Sequence, residues 1–196
     1  MEQNYIVFTD KKKLVFGSYE HHTCEILPKN NELNTLEGWE NLHNLQADVF
    51  YVFEDFEQWK SNFRIIRAAG GIVLNNQCVL MIFRNNCWDL PKGWIETDEF
   101  PLQGAMREVI EECGQLTLTV ESLTPIITYH LYVLKGKVVL KETHWFRMSA
   151  TDNYQLVPQI KEGINKVEFI PLTGVEQYLT TSFPLIKGLW QDGHFS

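Results

Sequence analysis

The chain has 196 residues, of which 44% are apolar and 21% charged, a composition too apolar for a disordered protein and long enough for one domain with an appendage. Its 17 basic and 25 acidic side chains give a net charge of −8. Such a surface repels a polyphosphate backbone at long range, so a non-specific nucleic-acid binder is excluded. A small phosphorylated ligand is not, because bound metal ions invert the local charge. The longest apolar run, Cys78 to Phe83, is far too short to span a membrane. The N-terminus lacks the basic-then-apolar order of a signal peptide. Cys24, Cys78, Cys87 and Cys113 stand far apart with no CxxC pair, which suits reduced thiols in a cytoplasmic protein better than disulfides or a zinc site.

In chain order, Tyr5–Phe8 and Leu14–Phe16 are β-type runs around the charged tip Asp10–Lys13 and predict a hairpin. Pro28–Leu45 is polar and Asn-rich, a loop with at most one short helix. Ala47–Phe53 has a strand pattern, and Phe56, Trp59 and Phe63 recur at helical spacing within Glu54–Phe63. Ile65–Leu74 is strand-like but carries Ala69-Gly70-Gly71, glycines that mark a bulge or a close backbone approach. Asn75-Asn76-Gln77 has turn chemistry before the buried strand Cys78–Phe83. Leu102–Gly114 reads as a helix stopped by its glycine. Thr117–Leu134 and Lys137–Met148 are long β-type stretches joined by Lys135-Gly136. Lys166–Ile170 predicts a strand and Pro171–Leu179 a helix. Strands on both sides of a central helix argue for an α/β sandwich with a mixed sheet. Residues 1–64 form an N-terminal α+β extension and 65–196 the main domain.

The chemistry concentrates around the central helix. From Glu96 to Glu112 there are six acids and one base, Arg107. At ~100° per residue, Glu108, Glu111 and Glu112 share an arc of roughly 100°, while Leu102, Ala105, Met106, Val109 and Cys113 occupy the adjoining arc. Like charges at these spacings destabilise a helix, and anions in its last turn oppose the macrodipole. A solvated acidic face is one reading. A divalent cation reversing the sign of the repulsion is the other. Carboxylates alone suit Mg²⁺, with Mn²⁺ as a substitute, and the absence of His and Cys argues against zinc.

From Gly93 the chain reads GWIETDEFPLQGAMREVIEECGQ, which resembles the Nudix box GX5EX7REUXEEXGU, U being a bulky apolar residue. Gly93, Glu99, Arg107, Glu108, Val109, Glu111, Glu112 and Gly114 match in register. Gln115 stands where U is expected, with Leu116 one step later, and Asp98 replaces a glycine common before the first glutamate. AAGGIVL, VLMIFR, WDLPKGWIE and KVEFIPLTGVEQYL also resemble family segments, so the likeness spans about Ile65 to Leu179.

The resemblance implies a Nudix-type α/β/α sandwich and Mg²⁺-dependent hydrolysis of a phosphoanhydride in a nucleoside diphosphate linked to another group. Dinucleoside polyphosphates, nucleotide sugars, nucleoside triphosphates and diphosphoinositols all fit. By position it implies Glu108, Glu111 and Glu112 as metal ligands, with a backbone carbonyl of Lys92 or Gly93. Arg107 would orient a box glutamate and Glu99 would stand behind it. A further carboxylate from a later loop would act as ligand or base, Glu162 first and Glu142 in reserve; Glu108 and Glu162 compete as general base. Arg84, Arg67 and Lys92 are candidate phosphate contacts as well as candidate surface charges. Trp88, Trp94 and Tyr129 could stack on a base or fill the core. His144 and His130 read as structural histidines, with His144 able to face the cleft, and Cys113 as a small core residue. A nucleotide-sensing module without turnover is the alternative, although such modules usually lose box carboxylates. An isoprenoid diphosphate isomerase would need a Cys–Glu pair that cannot be placed. The N-terminal extension would pack on the sandwich, cover the cleft or form a homodimer interface.

Overall fold

The computed structural model describes residues 5–17, 25–27, 32–52 and 55–195. Cys24, Phe53 and Glu54 lie outside them. Strands β1 (Tyr5–Phe8), β2 (Lys13–Phe16) and β3 (Glu25–Ile26) precede helix α1 (Leu36–Asn44), β4 (Val49–Tyr51) and helix α2 (Phe56–Lys60). Then β5 (Arg64–Asn75), β6 (Cys78–Arg84), β7 (Cys87–Asp89) and β8 (Lys92–Trp94) lead into α3 (Pro101–Cys113). Next come β9 (Gly114–Gln115), β10 (Leu118–Val120), β11 (Ile126–Leu134), β12 (Lys137–Ala150) and β13 (Gln155–Leu156). The chain ends with β14 (Ile164–Pro171), α4 (Val175–Leu179) and α5 (Pro184–Gln191). Parallel and antiparallel strand pairs are mixed with helices, as expected of the α/β class.

Two compact units emerge. The first comprises residues 1–66 and 128–142. Its strands follow the order β11-β1-β2-β4-β3. The β1–β2 hairpin predicted from the charged tip is present, with Tyr5 opposite Phe16 and Phe8 opposite Lys13. β1 runs parallel to β11, Val7 meeting Tyr129, and β2 runs parallel to β4. The loop expected between Pro28 and Leu45 does contain one helix, α1, whose N-cap Thr35 accepts a hydrogen bond from the Gly38 N–H at 3.0 Å. In α2 the helical spacing of Phe56 and Trp59 buries both rings beside Phe16, with the Phe63 ring tilted against Trp59 at 4.5 Å between centroids. Inside this aromatic core Lys60 donates to Glu142 Oε2 at 2.6 Å. Burial is the largest single influence on the Lys60 ammonium and works against it, but the bond to Glu142 and the nearby Tyr129, Glu142 and Glu57 together outweigh it and its pKa rises. Lys12, also buried, donates to the Leu45 and Ala47 carbonyls at 2.9 and 2.7 Å.

The second unit holds residues 67–127 and 143–196. Its strands follow the order β14-β6-β5-β12, with β7 beside β6, β8 beside β5 and β10 beside β12; β9 and β13 form a separate pair. Helix α3 lays Ala105, Val109 and Cys113 against Ala69 and Val73 of β5, with Leu80, Ile82, Phe146 and Met148 completing the cluster. A fully buried side chain of this size contributes roughly 1.5–3 kcal/mol, so the apolar arc of α3 outweighs the repulsion among its acids. Three hairpin turns are two residues long with positive φ at both positions: Asn76-Gln77, Asn85-Asn86 and, in the first unit, Lys135-Gly136. Positive φ at both centres matches the twist of the flanking strands. The β-type stretch from Thr117 to Leu134 is broken in two, since residues 121–125, with Pro125, make no ladder. The helix expected over Pro171–Leu179 begins as a 3₁₀ turn, Leu172–Gly174, before α4. No helix among the described residues is long and apolar enough to cross a membrane.

Candidate active site

The site is assembled in the second unit by β8, α3 and the loop between them. β8 is pinned to β5 with Ala69 opposite Gly93 and Gly70 opposite Lys92. At the start of α3, Pro101 takes the first helical position and Gln103 Oε1 accepts the Phe100 N–H at 3.1 Å. Asp98, which stands where glycine is common, adopts a φ of 65°, a conformation that aspartate tolerates better than most residues.

Arg107 organises the acids. Its Nε and Nη2 donate to the two oxygens of Glu99 at 2.8 and 2.9 Å, in the bidentate geometry a guanidinium favours. Nη1 donates to Glu108 at 2.6 Å and to Glu111 at 3.2 Å, and Nη2 also reaches the Trp94 carbonyl at 2.9 Å. Glu99 in turn accepts the Glu96 N–H at 2.9 Å. The Arg107 hydrogen bonds hold the Glu99 carboxyl below the usual carboxylate range, and the Glu99 and Glu108 carboxylates push the guanidinium pKa up.

Glu108 is buried against the backbone of Gly93. A Cβ at residue 93 would lie 2.1 Å from the Glu108 carboxyl carbon, so only glycine leaves room for that carboxylate. Burial raises the Glu108 pKa, although Arg107 opposes the shift. Glu112 is fully buried, at 0% exposure. Its Oε2 accepts the Lys92 N–H at 2.8 Å, whereas its Oε1 has no hydrogen-bond partner. Burial pushes this carboxyl up to about 7, against the pull of Lys92. Glu111 is half-exposed and turned toward Arg107.

Two elements complete the cluster. Arg84, at the end of β6, places Nη1 3.7 Å from Glu112 Oε1 and 3.6 Å from Glu162 Oε2. Glu162 lies in a 3₁₀ turn, Ile160–Glu162, just before β14. The Lys92 ammonium pairs with Asp89, whose other oxygen accepts the Leu90 N–H at 2.8 Å. Asp89 is buried and escaped the sequence reading, although its spacing of three from Lys92 in WDLPK offered a signal.

The three box carboxylates do not converge on one point. Among the described residues no group of three or more His, Cys, Asp or Glu side chains is gathered as for a metal ion, and Arg107 Nη1 bridges Glu108 and Glu111. The donor chemistry nevertheless suits a hard divalent cation. Glu112 presents a buried oxygen without a partner, Glu108 presses on Gly93, and the donors are oxygens throughout.

The remaining candidates separate clearly. Trp94 is 59% exposed on the strand that carries Gly93. Trp88 is buried between Phe83 and Tyr178, with ring centroids 5.1 Å away on each side, so its faces meet protein. Arg67 is exposed on β5, and its carbonyl accepts the Ile95 N–H. His144 is half-buried on β12. Cys113 is wholly buried, and burial raises its thiol pKa, which fits a core role. Glu142, Tyr129 and His130 belong to the first unit. There Glu142 serves Lys60, Tyr129 packs on Phe56, and His130 faces Asp10 at 3.4 Å.

A family model described as the NUDIX domain matches residues 64–187. A MutT-like protein of Streptomyces ambofaciens is 34% identical over 80 residues, 40% of this chain and 51% of that protein; the chain thus spans about half the length of that relative. Among solved structures, a NUDIX hydrolase from Nitrosomonas europaea superimposes over 67% of this chain and 89% of its own, with 19% identity and a TM-score of 0.50, a likeness of fold. A C. elegans Ap4A hydrolase covers 65% of this chain and 94% of its own at 20% identity and a TM-score of 0.47.

Proposed function

The chain belongs to the Nudix family, and from that premise we propose that it is a metal-dependent hydrolase cleaving a phosphoanhydride in a nucleoside diphosphate linked to a second group. The observation that carries this reading is Glu112, a fully buried carboxylate with an unpartnered oxygen, one helical turn from buried Glu108. A structural helix gains nothing from a buried acid left short of a hydrogen bond. An acid that ligates a cation does.

Glu108 and Glu112 would hold the ion with the Gly93 or Lys92 carbonyl, joined by Glu111 once it leaves Arg107. Bound Mg²⁺, or Mn²⁺ in its place, supplies neutralisation of the diphosphate oxygens and activation of the attacking water. Arg107 positions Glu108, and Glu99 anchors Arg107 from the other side. Glu162 is 45% exposed at the rim of the cluster, which suits a base that takes the proton from water. Arg84, Lys92 and Arg67 would contact phosphate oxygens. The water oxygen bonds to one phosphorus as the bridging P–O bond breaks, yielding a nucleoside monophosphate and a phosphorylated second product. Exposed Trp94 is the aromatic surface best placed for a base; Trp88 is spent on packing.

The test is product formation from dinucleoside polyphosphates, nucleotide sugars, nucleoside triphosphates and diphosphoinositols, with Mg²⁺ and with chelator. Turnover should need the cation and fall on the order of 10²–10³-fold in Glu112→Gln. Absence of cation-dependent product on the whole panel, with the fold intact, would leave a sensing module instead.

A further inference from the structure

Arg84 stands between two acids contributed by different elements. β14 pairs antiparallel with β6, Ile164 opposite Arg84, and this brings the turn carrying Glu162 to the end of the arginine's strand. The same guanidinium nitrogen faces Glu112 at 3.7 Å and Glu162 at 3.6 Å. Both distances exceed a hydrogen bond, and Glu112 Oε1 has none. The attraction is therefore charge neutralisation across a short gap. The other two cations of the site are held differently: Arg107 by hydrogen bonds to three carboxylates and a carbonyl, Lys92 by Asp89. Among the described residues the Arg84 guanidinium has these two ion pairs and no hydrogen bond, and it is one-third exposed. It can leave at little cost, whereas buried Glu112 has no solvent with which to replace it.

We propose that Arg84 is an exchangeable counter-ion: it neutralises Glu112 and Glu162 in the metal-free protein, yields that place to the divalent cation, and is thereby released to the phosphates of the substrate. The proposal rests on the hydrolase reading and adds an order of events, cation before polyphosphate. Arginine suits both duties, since it stays charged and pairs equally well with carboxylate and phosphate. Removing its charge should then have opposite effects on the two ligands. A merely structural arginine would weaken both.

The experiment titrates Mn²⁺ into the metal-free full chain by calorimetry, comparing wild type, Arg84→Gln and Arg84→Lys. It then titrates methylenediphosphonate, a non-hydrolysable diphosphate, at saturating Mn²⁺. Arg84→Gln should bind Mn²⁺ about three- to tenfold more tightly, the range expected from losing a competing, partly exposed ion pair. It should bind the diphosphonate about tenfold more weakly. Its melting midpoint should fall without metal and approach that of wild type with it. Arg84→Lys should shift Mn²⁺ affinity in the same direction by less, and it serves if the glutamine variant fails to fold. Equal or weaker Mn²⁺ binding in Arg84→Gln, beside a wild type that binds, overturns the exchange and leaves the hydrolase reading standing. A wild type that takes up no Mn²⁺ at millimolar concentration overturns both.

Discussion

Replacing Glu112 with glutamine should stabilise the metal-free protein above neutral pH while lowering turnover on the order of 10²–10³-fold. Burial lifts this carboxyl to about 7 from an ordinary 4.5. Such a displacement corresponds to about 3 kcal/mol at most, at 1.36 kcal/mol per pH unit. The sign follows from proton counts. Between about pH 4.5 and 7 the folded state retains a proton that the unfolded chain has released, so stability falls as pH rises through that window. Below it the cost is absent, and above it the cost is complete. Glutamine carries no charge and still offers an oxygen to the Lys92 N–H, which Glu112 meets at 2.8 Å. The wild-type carboxylate also gains from Arg84, and losing that attraction trims the advantage. Urea or thermal unfolding of both proteins in chelator, from pH 4.5 to 8, reads the difference. The variant should lead by about 1–3 kcal/mol at pH 8, with roughly 2–4 °C in Tm for each kcal/mol, and the gap should close at pH 4.5. Millimolar Mg²⁺ should stabilise wild type and leave the variant unmoved. A variant less stable than wild type at pH 8, or a gap independent of pH, would refute the account of Glu112 as a charge held against its solvation.

Further outcomes follow from the same geometry. Gly93→Ala drives a Cβ to 2.1 Å from the Glu108 carboxyl carbon, the free end of a flexible side chain. The fold should persist by circular dichroism while kcat falls on the order of 10²-fold, the scale of an ångström-sized misplacement; an unchanged kcat would remove Glu108 from the mechanism. Gly114→Ala should cost about 3 kcal/mol in urea denaturation, because φ is +102° and the new Cβ would meet the backbone oxygen of Gln155 at 2.4 Å. A loss below about 1 kcal/mol would show that the turn relaxes freely. Lys60→Met removes the cation bonded to the buried Glu142 carboxylate and should cost about 3 kcal/mol, most of it recovered on adding Glu142→Leu. Strict additivity in that double-mutant cycle would show the pair to be uncoupled.

The acidic helix was legible because its spacing is local. Three acids within five residues, an apolar arc beside them and a terminal glycine are all properties of one short segment. The Asn76-Gln77 turn was equally local, and the close approach read at Gly70 is present, with the Pro91 carbonyl 2.4 Å from where a Cβ would sit. Helix α5 leaves no clear signal in the sequence: its buried Leu185, Ile186 and Leu189 occupy eight residues that include Gly188, too short a window for a clear period. Strands β7 and β8 have three residues each and are defined by their partners rather than by alternation. Contacts between distant segments were the least legible. Nothing in the spacing of Arg84, Glu112 and Glu162 announces that they meet, since a strand pairing brings Glu162 to Arg84 and the packing of α3 brings Glu112. Equally, nothing in KETHWF tells that Glu142 is claimed by Lys60. The resemblance implies that Arg107 orients one glutamate; that it bonds three box glutamates, Glu99, Glu108 and Glu111, depends on how the loop before α3 folds back on the helix.

The parallel pairing of β1 with β11 constrains how this protein emerges from the ribosome. Val7 waits for Tyr129, ~120 residues downstream, and at ~5–20 residues per second that wait lasts roughly 6–25 s. Until then the nascent N-terminal strands present an uncovered edge and the unfilled aromatic surface of Phe16, Phe56 and Trp59, a natural target for a chaperone. A fragment released after residue 66 would carry that liability permanently, so cutting the gene at the apparent boundary should give an aggregating peptide rather than an autonomous module.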